Sequence, residues 1–145
     1  MNSPTENTAF LESILEKFSC QTGTIHRTDG SGKFLDLVAQ IGVPKSVLDK
    51  IVHIPFGKGI AGAAAETKEP VELCNLQQDL GGVAKADARK TGVAGSLAVP
   101  ILSTDGDKVL GTLGIGKFQP YDFTPAEIEQ LAGYAAEIAR SFGGD

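Results

Sequence analysis

Ile54-Pro55-Phe56-Gly57-Lys58-Gly59-Ile60-Ala61-Gly62 is the stretch whose interpretation decides the fold of this chain. Its glycines spell G-x-G-x-x-G, the pattern of a dinucleotide-binding turn. That turn needs a buried strand before it, a helix after it and an acidic residue about 20 positions on. A helix fits Ile60 to Glu66, which are rich in alanine and small residues. The other requirements fail. Pro55 cannot donate to a ladder, so a central parallel strand does not end there. Glu72 falls inside residues 70–74 and Asp79 in polar sequence beyond them, so neither stands at a strand end. After residue 92 the chain offers a hairpin and one terminal helix, where a doubly wound sheet needs repeated alternation.

On either side of this stretch the elements come in a legible order. Upstream, Phe10, Leu11, Ile14, Leu15 and Phe18 recur at helical spacing and predict an amphipathic helix over 8–18. The period then becomes two. Leu35, Leu37, Ala39 and Ile41 alternate with Phe34, Asp36, Val38 and Gln40. With Thr22 to Arg27 across Asp29-Gly30-Ser31-Gly32 they predict an antiparallel hairpin. A short helix opened by Pro44 is expected over 44–51.

Downstream, residues 70–74 return as a short strand, and 75–95 are polar and irregular. Strands over 96–102 and 109–118 flank Thr104-Asp105-Gly106-Asp107, a second hairpin. The second of these strands carries Gly111, Gly114 and Gly116, which mark a bulge or a place where a ligand or another backbone comes close; tight helix packing explains them equally. Thr124 as N-cap, Pro125 at the first helical position and Glu127 three residues after the cap predict the start of a final helix. Phe123 and Ile128 are placed as its staple, and Gly143-Gly144 as its end.

Composition bounds the class. With 145 residues, 41% of them hydrophobic, the chain is expected to form one domain over 1–145 with a proper core. Thirteen basic residues against 18 acidic, a net charge of -5, provide no basic stripe, so nucleic acid is not an expected partner. Residues 1–10 are polar, and no run approaches the roughly 18 apolar residues of a membrane span. A cytoplasmic protein without membrane contact is expected. Cys20 and Cys74 lie far apart with no C-x-x-C spacing, which argues against a disulfide framework or thiolate metal site. His26 and His53 are the only imidazoles and stand 27 positions apart, so neither a metal nor a haem is expected.

The resulting architecture is α+β, a central antiparallel sheet with the two terminal helices on one face and helical and loop excursions on the other. Through residues 54–62, Glu66-Thr67-Lys68-Glu69-Pro70-Val71, Gly95-Ser96-Leu97-Ala98-Val99-Pro100-Ile101, Gly111-Thr112-Leu113-Gly114-Ile115 and Phe123-Thr124-Pro125-Ala126-Glu127, the chain resembles the GAF domain family over 23–142. The resemblance implies a GAF/PAS-like fold with a small-molecule pocket on the far face of the sheet. By position, Cys74, Leu76, Val83, Val93, Ser96, Ala98 and Thr112 would line it. The structural alternative is that these residues complete the core.

Departures from known subfamilies narrow what the pocket would hold. Cyclic-nucleotide-binding members carry Asn-Lys, a later Phe and Asp-Glu. The corresponding positions read Gly116-Lys117, Phe123 and Glu127-Ile128, so only Lys117 and Phe123 are retained. Members with a covalent tetrapyrrole attach it through a Cys, usually accompanied by His, in the excursion before the last hairpin, and 75–95 contain neither.

The expectation is a non-catalytic sensor or regulatory domain of signal transduction that binds an unidentified small molecule and has no cofactor. It would pair as a homodimer through its terminal helices or be read by a separate output protein. Two alternatives stand beside it. One is an enzyme like the free methionine-R-sulfoxide reductases, which need accessible low-pKa cysteines near one another. The other is a ligand-free dimerisation or interaction module. A small anion at the helix after Gly59 is a candidate ligand, against the simpler view that the glycines only permit a tight turn.

Overall fold

A computed structural model describes residues 4–73 and 94–142. In chain order the described elements are helix α1 (Pro4–Phe18), strands β1 (Thr22–Thr28) and β2 (Phe34–Ile41), helix α2 (Lys45–Ile51), strand β3 (His53–Pro55) and helix α3 (Gly59–Thr67). Strands β4 (Val71–Leu73), β5 (Gly95–Leu102) and β6 (Val109–Lys117) and helix α4 (Pro125–Ser141) complete them. The six strands form one sheet in the order β3-β2-β1-β6-β5-β4, and every described pairing is antiparallel. The expected α+β class is observed.

The terminal helices share one face. Leu11, Ile14, Leu15 and Phe18 of α1 and Leu131, Ala135, Ile138 and Ala139 of α4 bury against Ile25, Leu97, Val99, Ile101, Leu113 and Ile115 of the sheet. Helix α1 sits so close that a Cβ on Gly23 would stand 2.8 Å from the Leu15 side chain. It begins at Pro4, earlier than residue 8, where the apolar stripe starts.

The start of α4 obeys the cap chemistry. Thr124 Oγ1 accepts from the Glu127 N–H at 3.1 Å, and the Glu127 carboxylate accepts from the Thr124 N–H at 2.9 Å. Phe123 and Ile128 join the same apolar cluster. Gly143 and Gly144 lie outside the described residues, and Phe142 is the observed C-cap.

Strand β2 corrects the expected single apolar face. Its pairing with β1 slips between Ile25 and His26, so that Ile25 faces Ala39 while His26 faces Leu37. A bulge of one residue moves the rest of the strand to the opposite face. Ala39 therefore packs with the terminal helices, whereas Leu35 packs on the far side with Ile54 and Ala65. The strand expected over 70–74 is observed as Val71–Leu73, and the irregular stretch lies almost wholly outside the described residues.

Candidate functional site

Pairing across the sheet defines its far face, opposite α1 and α4. One row sets Thr22 beside Gly116, Ser96 and Leu73. The next sets Thr24 beside Gly114, Ala98 and Val71, and the third sets His26 beside Thr112 and Pro100. Successive strand residues point to opposite faces, so Leu97 and Val99 face the helices while Ser96 and Ala98 do not. His26 is the one titratable side chain in these rows. Helix α3 packs against β5 and β6, with Ala64 and Ala65 buried.

Of the expected lining residues, Ser96, Ala98 and Thr112 lie on this face and are buried at 5%, 1% and 1% exposure. Cys74, Leu76, Val83 and Val93 lie outside the described residues. Gly114, at the centre, is half-buried. A Cβ there would meet, among the described residues, only Thr24 Oγ1 at 3.1 Å and the Leu97 carbonyl at 3.8 Å. Helix packing therefore does not explain this glycine within the described structure.

His26 was not among the expected site residues. It is 1% exposed, and its Nε2 stands 2.8 Å from the Ile51 carbonyl at the end of α2. A carbonyl only accepts, so Nε2 carries the proton and Nδ1 is left as a bare acceptor. Burial pushes the imidazole below its ordinary value, against the opposing effects of the Ile51 carbonyl and the Asp36 charge. His26 is therefore neutral at pH 7, and the three rows carry no charge. Among the described residues its Nδ1 has no partner, and neither has Oγ1 of Thr112, its neighbour across the β1–β6 ladder; Asn7 Oδ1 and Thr28 Oγ1 are the other buried side-chain atoms in that state. The register that joins His26 and Thr112 depends on long-range pairing, and a single imidazole in the Thr22–Thr28 strand was the only sign of it in the sequence.

The buried imidazole also makes stability depend on pH. The unfolded chain takes up a proton near pH 6.5, while folded His26 resists it to lower pH. Stability contributed by His26 is thus complete above about pH 6.5 and falls as the pH drops through that value. Between pH 6.5 and 5 the melting temperature should fall, with a slope of at most about 1.4 kcal/mol per pH unit for this one proton. His26→Gln should flatten that segment in a thermal unfolding series. Asp29, Asp105 and Glu127, whose carboxyls are lowered by hydrogen bonds from Ser31, Ser103 and the Thr124 backbone respectively, act at more acidic pH.

Two surface features lie away from this face. A cleft of about 660 Å³ at the β1–β2 hairpin end is lined by Arg27, Thr28, Asp29, Glu66, Lys68 and Lys108 among others. Beside it, pairing of β2 with β3 sets Asp36 opposite His53, and the ligand atoms of Asp29, Asp36 and His53 lie within 4.8 Å of one another. Helical spacing did not foresee this cluster, because strand pairing builds it. Its groups are largely solvent-exposed, His53 Nδ1 and Asp36 Oδ1 share a 2.6 Å hydrogen bond, and Phe34 stacks on the imidazole at 4.4 Å.

The glycine motif forms a structural turn. Gly57 and Gly59 adopt φ of +91° and +67°, and a Cβ on Gly62 would stand 2.7 Å from the Pro55 carbonyl. The Gly57 N–H donates to the Gly62 carbonyl and the Lys58 N–H to that of Pro55, so these donors are spent within the turn. Pro55 ends an antiparallel edge strand, which removes the dinucleotide fingerprint. Lys117 Nζ donates to the Phe18 and Ser19 carbonyls at 2.7 and 3.2 Å, closing the end of α1, and Phe123 is buried. Both retained family positions thus have structural work. Burial pushes the Cys20 thiol up to about 11, and it faces the Phe18 carbonyl at 3.7 Å.

A family model described as GAF domain matches residues 8–142. Among solved structures, the GAF domain of a phosphoenolpyruvate-protein phosphotransferase from Acinetobacter superposes with a TM-score of 0.77 at 18% identity, covering 97% of this chain and 82% of that one. The corresponding GAF domain from Coxiella burnetii gives 0.71 at 23% identity, with 94% and 83% covered. Free methionine-R-sulfoxide reductase from Neisseria meningitidis, in complex with its substrate, gives 0.78 at 19% identity, with 99% and 80% covered. These likenesses concern the fold. No curated protein matches by sequence, and no helix among the described residues is long and apolar enough to cross a membrane.

Proposed function

This chain belongs to the GAF domain family, and from that membership we propose that it is a non-catalytic sensor or regulatory domain of signal transduction, working in the cytoplasm, that holds a small molecule on the far face of its sheet. The observation that carries this reading is that two buried polar atoms on neighbouring residues of that face, His26 Nδ1 and Thr112 Oγ1, have no partner among the described residues. A face that only completes a core pairs its buried polar atoms or replaces them with apolar ones, since each orphan costs about 1–3 kcal/mol. A bound molecule offsets that cost.

The sheet supplies the route for a signal. Ala98 lies on the binding side of β5, while Leu97 and Val99 on the same strand touch the cluster built by α1 and α4. A ligand that favours one packing of these strands biases the helices behind them. A second copy joined through the terminal helices, or a separate output protein, would read that change.

The enzymatic alternative needs a thiolate nucleophile and a resolving thiol. Cys20, with its raised thiol pKa, is suited to neither. With free methionine-R-sulfoxide and dithiothreitol, the protein should give no Cys74-dependent turnover. Reduction that is abolished in Cys74→Ser would replace the sensor reading with the enzymatic one.

A further inference from the structure

The chemistry of the far face limits what it accepts. Strand β1 is paired on both sides, by β2 and β6, and β6 is paired by β1 and β5. Their backbone groups are therefore spent on ladders along the centre of the sheet, and side chains must recognise a ligand there. The two buried polar atoms of these three rows that lack partners among the described residues are complementary in kind. His26 Nδ1, with the ring proton held on Nε2 by the Ile51 carbonyl, can only accept. The Thr112 hydroxyl can donate. Their residues are direct cross-strand neighbours, whose Cβ atoms stand about 5 Å apart. Nothing charged in the three rows would neutralise a charged ligand, and burying an unpaired charge is costly.

Resting on the sensor reading, we infer that the ligand is an uncharged molecule presenting an N–H donor to His26 Nδ1 beside a carbonyl acceptor for the Thr112 hydroxyl, the edge of a primary or cyclic amide. Thr24 and Gly114 in the adjoining row are half-buried, and a Cβ on Gly114 would meet, among the described residues, only Thr24 Oγ1 and the Leu97 carbonyl, so the body of such a molecule would lie over this glycine.

The test uses 2-pyrrolidinone, a small molecule with this edge, alongside N-methyl-2-pyrrolidinone, which lacks the donor, and acetate, which is charged. Nitrogen-15 spectra of the imidazole ring read Nδ1 directly in the unmodified protein. The lactam should move the His26 Nδ1 resonance saturably, and the other two should not. Thr112→Val should weaken lactam binding roughly tenfold, and Thr112→Ser should restore it. Without lactam, Thr112→Val should melt no lower than the parent, because the hydroxyl it removes has no partner among the described residues.

Equal responses to acetate or to the N-methyl compound would overturn the inference. So would a lactam that shifts the Thr24 and Gly114 amides while leaving Nδ1 unmoved, although the sensor reading would then stand. A ring nitrogen already hydrogen-bonded in free protein and unmoved by any probe would mean that a fixed water fills the position, which also overturns it. Should Thr112→Val fail to fold, the Nδ1 response of the unmodified protein to the lactam and its N-methyl derivative decides alone.

Discussion

Leu131→Glu should leave no cooperatively folded protein at 25 °C. Leu131 is fully buried between α4 and the sheet, in the cluster that includes Ile25, Leu97 and Leu113. Removing a buried leucine costs about 2–5 kcal/mol. The new carboxylate would add the cost of a charge or proton without a buried partner, several kcal/mol more. Together these approach the roughly 5–15 kcal/mol by which a whole domain is stable. Circular dichroism and size-exclusion chromatography would report the loss. Ala136→Glu, on the exposed side of the same helix, should remain folded and is the proper variant for testing a helix-mediated dimer. A folded monomer from Leu131→Glu would place that residue at an interface rather than in the core.

Gly111→Ala should cost about 3 kcal/mol, unusually large for the addition of one methyl group. A Cβ on Gly111 would run into the backbone carbonyl oxygen of His26, with the carbonyl carbon 3.0 Å and the Arg27 Cα 3.1 Å away. These atoms belong to a strand held on both sides and cannot rotate away as a side-chain end would. The two strands must separate where Gly111 pairs with Arg27 and Thr112 with His26. The same variant should therefore disturb the His26 ring signals as well as lower the melting temperature. A melting curve within about 0.5 kcal/mol of the parent would show that β1 and β6 are further apart here than described. Gly114→Ala offers the contrast. Its Cβ would meet chiefly the Thr24 hydroxyl at 3.1 Å, a group that can turn aside.

Where local chemistry decides structure, the sequence was a good guide. Thr124, Pro125 and Glu127 specify a helix start through bonds made within four residues, and that start is where the cap chemistry places it. Pro55, for want of an N–H, spoke against a central parallel strand ending there, and β3 is an antiparallel edge strand. The family motifs were legible for the same reason, being contiguous. Features set by register were not. A bulge opposite Ile25 and His26 divides Leu35 from Ala39, and no spacing in Phe34 to Ile41 announces it. The orphan pair depends on β1 lying beside β6, some 80 residues later in the chain, since Thr112 pairs with His26. Ser96, Ala98 and Thr112 could be assigned to the far face by alternation alone. The imidazole that gives the face its chemistry could not.

Whether a small molecule occupies the far face can be read from native mass spectrometry of freshly purified protein. The spectrum should show a folded species heavier than the polypeptide by one small neutral molecule, which is released and weighed on denaturation. A folded species at the bare polypeptide mass would contradict the sensor reading and favour a domain that works through protein contacts alone.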